Sequence, residues 1–540
     1  MKRASAGTVM VALVALAGAA RADDTTRALE KAYHDARDDD ARRRALRALG
    51  EQTAPDAERV LSDALARDPS EAVRMEAVTA LLKKGDELAA RALLQAVNSY
   101  DPYVTEAVVE GLSKAMPEKF HRWLAESGLG HERAEIRAAS VRILGATHPS
   151  ELAPKLGKLS LDQAPEVREA VALALRKLEA KQAFALADRL SRDADVRVRV
   201  AALTALGALE GDKAEKLLAV SAEKDVAWQA RVEAVQGLSE RSAKRHLDVL
   251  LRILKDAKAD RHIRLAALDG VAPLEENAVV DALVAIASDG PDRLEVEIKK
   301  TLVALTGQEI ATAAEWRSWW REKKASFQFP TESARPAAPA LATRARFFDL
   351  PVESLRPCFV LDISGSMSEP MPVASGTTSS VAAQVFQTKI AIARAELKRC
   401  LEALPKEAVF GVILFADRTV PIQDKPVPAR PDTIAAALAQ VEAYAPSGST
   451  NLYGAFANVL HGSAPRDPGA AENVAFDAVY LLTDGLPTSG AITDPDELRA
   501  RVRDWNRFAR VRIHTIGIGD ENRDLLVGLA KDSGGRCVQR

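Results

Sequence analysis

A small residue followed by an aliphatic one closes a helical pattern at Ala48-Leu49, Ala80-Leu81, Gly111-Leu112, Ala174-Leu175, Ala205-Leu206, Gly237-Leu238, Gly270-Val271 and Ala304-Leu305, with Ile143-Leu144 filling the gap. Successive second members lie 32, 31, 32, 31, 31, 32, 33 and 34 residues apart. A period this constant leaves few folds open. Each unit is too short to bury its own apolar face, so the nine units from Asp24 to about Gly307 are expected to stack on one another.

Inside the units the spacing is helical: Val73, Ala77, Ala80 and Leu81 fall at i, i+4, i+7 and i+8, as do Val167, Val171, Ala174 and Leu175, and Val198, Ala202, Ala205 and Leu206. Turn formers such as Asp68-Pro69-Ser70 and Asp101-Pro102 end one helix and cap the next. The pairs Val73-Arg74, Ile136-Arg137, Val167-Arg168, Val198-Arg199 and Ile263-Arg264, each followed by Ala and Leu, resemble the short bacterial kind of HEAT repeat. The resemblance implies an α-solenoid with a concave surface left for partners. The recurrence of the arginines at one repeat position favours structural pairing with nearby Asp or Glu over phosphate binding.

After Thr306-Gly307-Gln308, the residues Trp316, Trp319 and Trp320 form one helical face, read as a cap that seals the last repeat rather than a carbohydrate platform. The Pro- and Ala-rich stretch that follows reads as a semi-rigid linker. The chain is therefore divided into a signal peptide (1–22), a solenoid of about nine repeats (23–307), a Trp-rich capping helix (308–328), a linker (329–343) and a second domain (344–540).

The leader assignment rests on Lys2-Arg3 ahead of the uncharged Ala4 to Ala20 run, and on the small-x-small pattern Ala20-Arg21-Ala22 before Asp23. Cleavage is expected after Ala22, and the mature protein is expected to be secreted or periplasmic, with no transmembrane segment. No cysteine follows the cleavage pattern, which argues against a lipid anchor. The three cysteines, Cys358, Cys400 and Cys537, cannot all pair and are too few for a disulfide framework. A net charge of -2 over 74 basic and 76 acidic side chains argues against nucleic acid or an anionic membrane as the main partner.

In the second domain, three segments carry hydroxyls and carboxylates. They are Asp362-Ile-Ser364-Gly-Ser366 after the apolar run Pro357 to Leu361, Ser449-Thr450-Asn451, and Thr483-Asp484-Gly485 after Ala478 to Leu482. The outer two stand where β-branched, apolar strands stop, so they are expected to meet at the C-terminal edge of one parallel sheet. Ligands that are all oxygens select Mg²⁺, Mn²⁺ or Ca²⁺ over zinc or copper. Strands expected near 358–361, 409–415, 419–422, 478–482, 512–516 and 536–539 alternate with helices near 389–404, 432–444, 452–460, 496–509 and 522–532. The fold class is thus multidomain: an all-α solenoid, then a doubly wound, Rossmann-like α/β domain.

The constellation resembles the metal-ion-dependent adhesion site (MIDAS) of von Willebrand factor type A (VWA) domains: Asp-x-Ser-x-Ser, a distant Thr, and a distant Asp followed by Gly. The stretches Gly448 to Phe456 and Leu481 to Pro487 look like that family's second and third metal loops. The resemblance implies that Ser364 and Ser366 bind a divalent cation directly, that Asp362 and Asp484 act largely through water, and that Thr450 moves between the two modes. It further implies that an acidic side chain of a protein partner completes the coordination. Two departures stand out: a long Ser-, Thr- and Pro-containing stretch after Ser366, readable as a partner-specific rim or as a disordered insertion, and the lack of a C-terminal helix after the last strand.

The function expected is that of an extracytoplasmic binding or scaffold protein, not an enzyme. It engages a partner's Asp or Glu through Mg²⁺ (or Mn²⁺ or Ca²⁺) and uses the solenoid as a second docking surface. A metal-dependent hydrolase is the first alternative, and no His lies beside the three metal segments to serve it. A HEAT-type lyase is the second, and repeat periodicity does not reveal the pocket it needs. A partner of a cytosolic ATPase machine is the third, and the leader contradicts it.

Overall fold

In the computed structural model, which describes residues 24–98, 101–178, 180–289, 293–330, 345–373, 385–461, 475–490, 492–519 and 523–540, every repeat is a pair of helices. The leader 1–22, residues 331–343 of the linker and residues 374–384 after the first metal loop lie outside the described residues. The helix pairs begin at residues 24–35 with Asp39–Gly50 and end at Asn277–Ile286 with Arg293–Thr306. The second residue of each periodic pair, from Leu49 through Leu81, Leu144, Leu206 and Leu238 to Val271, is wholly buried. Stacking of neighbouring units therefore provides the core.

Two compact units make up the chain, Met1–Leu186 and Ala187–Arg540. In the first, Arg74 pairs with Asp101 of the next repeat at 2.6 Å and Arg137 with Asp162 at 2.8 Å. Arg168 instead donates to the carbonyl of Asp162 at 2.8 Å. In the second, Arg199 holds Asp225 at 3.0 Å, and Arg264 donates to the Leu254 carbonyl at 2.9 Å. These arginines join repeat to repeat or close helix ends, as structural pairing requires.

The second unit contains both the later repeats and the α/β domain. Its helix Ala313–Lys323 closes the array: Trp316 is fully buried, and the Trp320 indole donates to Asp281 at 2.6 Å. The α/β domain is built on a seven-stranded sheet. Its strands are β1 (Pro357–Asp362), β2 (Val409–Phe415), β3 (Thr419–Pro421), β4 (Val427–Pro428), β5 (Ala478–Thr483), β6 (Arg512–Gly517) and β7 (Cys537–Gln539). The order is β7-β6-β5-β1-β2-β3, with β4 also on β2. The pairs β7/β6, β6/β5, β5/β1 and β1/β2 are parallel, and β3 and β4 run antiparallel to β2. Every residue of β1 and β5 is buried, which is why these strands read as continuous apolar runs rather than alternating ones. The helices are α1 (Lys389–Glu402), α2 (Pro431–Glu442), α3 (Leu452–His461), α4 (Pro495–Ala509) and α5 (Arg523–Ser533).

Two antiparallel hairpins escape the sequence pattern. One pairs Arg346–Phe347 with Leu350–Pro351, and the other pairs Pro370–Val373 with Val385–Thr388. The second forms the base of the stretch read above as a rim or an insertion.

The later repeats, in this same unit, meet the sheet at the edge where its strands begin. Glu353, just ahead of β1, takes Lys300 at 2.6 Å, Arg536 at 3.3 Å and Arg512 at 3.7 Å. Arg512 also reaches Glu297 at 2.6 Å, Arg510 reaches Asp269 at 2.5 Å, and Arg507 holds Gln236 at 2.8 Å together with Glu233. Burial alone would raise the pKa of Glu353, but Lys300 and the two arginines hold it below the usual carboxylate range.

Candidate metal centre

Strand order reverses between β5 and β1, so the loops leaving these two strands open a crevice at the sheet's C-terminal edge. Asp362 is the last residue of β1 and is completely buried. One of its oxygens accepts the Ser364 amide at 2.7 Å and the other accepts the Thr483 hydroxyl at 2.5 Å, which ties the first loop to the third. Ser364 and Ser366 hydroxyl oxygens lie 3.2 Å apart, and Ser366 donates to Asp484 Oδ1 at 2.8 Å.

The second loop lies between α2 and α3. Ile363 accepts the Ser447 amide at 2.9 Å and Gly448 accepts the Gly365 amide at 3.0 Å. The Thr450 carbonyl accepts the Thr488 amide at 2.9 Å, and the Thr450 hydroxyl oxygen lies 3.8 Å from where a Cβ on Gly485 would stand. All five residues expected from the sequence are thus brought to one crevice, and all but Ser366 are buried.

Burial, with help from neighbouring Asp484, pushes the Asp362 carboxyl up to about 6, against the pull of its hydrogen bonds. A buried carboxylate raised this far is short of positive charge, and two carboxylates with three hydroxyls form an all-oxygen donor set. The residues present therefore fit a hard divalent cation. Among the described residues no group of three or more His, Cys, Asp or Glu offers a different kind of metal site.

Two neighbours of the crevice were missed by the sequence reading. Asp417, two residues past β2, anchors the second loop through Ser449. Lys389, the first residue of α1, places its ammonium 2.7 Å from Asp484 Oδ2. Asp417 was findable as a third acidic residue just beyond a strand end at the same edge. Lys389 looked like any charged residue opening a helix.

Family models described as HEAT repeats match residues 26–113 and 124–207, and one described as a von Willebrand factor type A domain matches residues 380–538. The chain joins HEAT repeats to a VWA domain. The VWA match begins after the first metal loop, so Asp362, Ser364 and Ser366 stand on the geometry given above. VWA domains commonly bind a divalent cation at such a site.

Among solved structures, YibA of Escherichia coli is 17% identical, with 48% of this chain and 94% of that chain covered and a TM-score of 0.34. Proximal thread matrix protein 1 from the mussel byssus is 19% identical over 34% and 41%, with a TM-score of 0.23. The CpcE–CpcF complex of phycocyanin lyase from Nostoc is 21% identical over 42% and 92%, with a TM-score of 0.25. No curated protein matches the chain. HEAT repeats and a VWA domain together suggest a protein-interaction or scaffold role. No helix among the described residues is long and apolar enough to cross a membrane.

Proposed function

We propose that this protein works outside the cytoplasm and captures an exposed Asp or Glu of a protein partner through a divalent cation, without catalysing a reaction. Ser364, Ser366 and Thr450 would hold the cation by their hydroxyls, and Asp362 and Asp484 would balance its charge. When bound, the cation supplies an electron-poor centre with a position left for an incoming carboxylate. Mg²⁺ suits this task because it keeps water ligands and exchanges one of them readily. The HEAT array is the second docking surface.

One observation carries the reading: three loops bring two carboxylates and three hydroxyls to one edge of the sheet, while the later repeats of the same unit occupy the opposite edge. The crevice is thereby left facing away from these later repeats. The extracytoplasmic part rests on the leader pattern. The non-enzymatic part rests on the crevice's chemistry, since among the described residues it gathers no His, and both Cys358 and Cys400 are buried with their thiol pKa values pushed up by that burial.

Affinity capture from the source organism's envelope tests the reading. A partner should be retained in Mg²⁺, released by chelator, and lost in Thr450→Ala or Asp484→Ala protein that still folds. Changing the partner's exposed acid to its amide should also release it. Equal capture in chelator would mean that the array alone does the binding.

A further inference from the structure

The first loop, the third loop and helix α1 converge on the ammonium of Lys389. It lies 2.7 Å from Asp484 Oδ2 and 2.8 Å from Glu369 Oε2, and the Lys389 amide donates to the Glu369 carbonyl at 3.0 Å. The other oxygen of Asp484 accepts the Ser366 hydroxyl. A proposed cation ligand and a fixed ammonium therefore share one carboxylate, side by side.

The two acids that hold Lys389 differ in kind. The Asp484 side chain is 1% exposed, and that of Glu369 is 63% exposed. Asp484 is a permanent part of the crevice. Glu369 is a surface residue whose ion pair is worth little, because water screens it and its side chain loses freedom in making it. A divalent cation would balance Asp362 and Asp484, which leaves the charge of Lys389 to Glu369 alone.

We infer that Lys389 is a second attachment point beside the cation, with Glu369 as its resident placeholder, so that the site takes two neighbouring carboxylates in preference to one. This deepens the metal-dependent reading and rests on it. The partner class it selects is an acidic pair: one carboxylate goes to the cation, and the other displaces Glu369 from Lys389. The same ammonium repels the cation, so Lys389 trades cation affinity for anion affinity.

The test titrates the full chain, in Mg²⁺, with succinate and with acetate. In Lys389→Met the preference for succinate over acetate should fall about three-fold, the size expected for one partly exposed ion pair, while Mg²⁺ binding stays the same or tightens. In Glu369→Gln the preference should rise, and Lys389→Arg should keep it. A purely structural Lys389–Glu369 bridge would move Lys389→Met and Glu369→Gln in the same direction, which overturns the inference. So would an unchanged preference in a folded Lys389→Met protein; if that variant does not fold, a preference in Glu369→Gln that fails to rise decides against it. Failure of the wild-type chain to bind Mg²⁺ would overturn the metal reading itself, and this inference with it.

Discussion

The Asp417 carboxylate accepts both the amide of Ser449, at 3.0 Å, and its hydroxyl, and so ties the loop that carries Thr450 to the end of β2. The approach is close enough that Gly448, at φ +77, has no room for a side chain: a Cβ there would stand 2.2 Å from Asp417 Oδ2. Asp417 orients a candidate ligand without being one. Asp417→Ala should weaken Mg²⁺ binding by about ten-fold or more, as loss of an outer-shell partner does, with the circular dichroism of the fold unchanged. Unaltered affinity would mean that the loop holds its shape without this anchor.

Cation binding should raise stability, because the crevice exists only in the folded chain. At a hundredfold excess of Mg²⁺ over its Kd the gain is about 2.7 kcal/mol, visible as a higher Tm of the transition that includes the VWA domain. Asp362→Ala should remove the response. If Tm still climbs with Mg²⁺ in that variant, the cation binds elsewhere.

Asp362 also makes the site sensitive to acid. Its carboxyl is raised from 3.8 to about 6, so in cation-free buffer its contribution to stability is full below about 3.8 and is lost as pH rises through about 6. Relative to Asp362→Asn, the wild type should gain about 1 kcal/mol between pH 7 and pH 5 without Mg²⁺. Proton and cation compete for the same oxygens, so Mg²⁺ affinity should fall roughly ten-fold over that interval. Parallel pH curves for the two proteins would refute the assignment.

Glu353 gathers Lys300, Arg512 and Arg536 where the repeats meet the VWA domain, and its side chain is only 7% exposed. Glu353→Gln leaves three cations without their shared acid. The expected loss is about 2 kcal/mol, below the figure for a fully buried pair because the partners keep some water. Urea denaturation of the full chain measures it, and a shift under half that size would show that the cations find other partners.

Much of this was legible in the sequence, and the reason is burial. Leu49, Leu81 and their successors recur because each must fill the seam between repeats, and β1 and β5 read as strands because both their faces are covered. The five crevice residues were legible because two strand ends are each followed at once by a carboxylate with hydroxyls, and Ser449-Thr450-Asn451 supplies a third hydroxyl-bearing segment between them. Contacts between distant charged residues left no such trace. Arg507 with Glu233, Lys300 with Glu353 and Lys389 with Asp484 are each ordinary in composition, and only the fold decides which of many charges meet. The hairpin Pro370–Val373 with Val385–Thr388 was hidden for another reason: two prolines and a long intervening stretch mask its pairing.

Glu353 leads into β1 and Asp362 ends it, so the two contact points stand at opposite ends of one strand, roughly 20 Å apart for six residues. A pull on the metal loops that is resisted at Glu353 runs lengthwise along β1, and one resisted at Arg512 runs along β6. The parallel pairings of β1 with β2 and β5 would then be strained in shear, all bonds resisting together, instead of being peeled open one after another. A strand loaded this way gives little under tension.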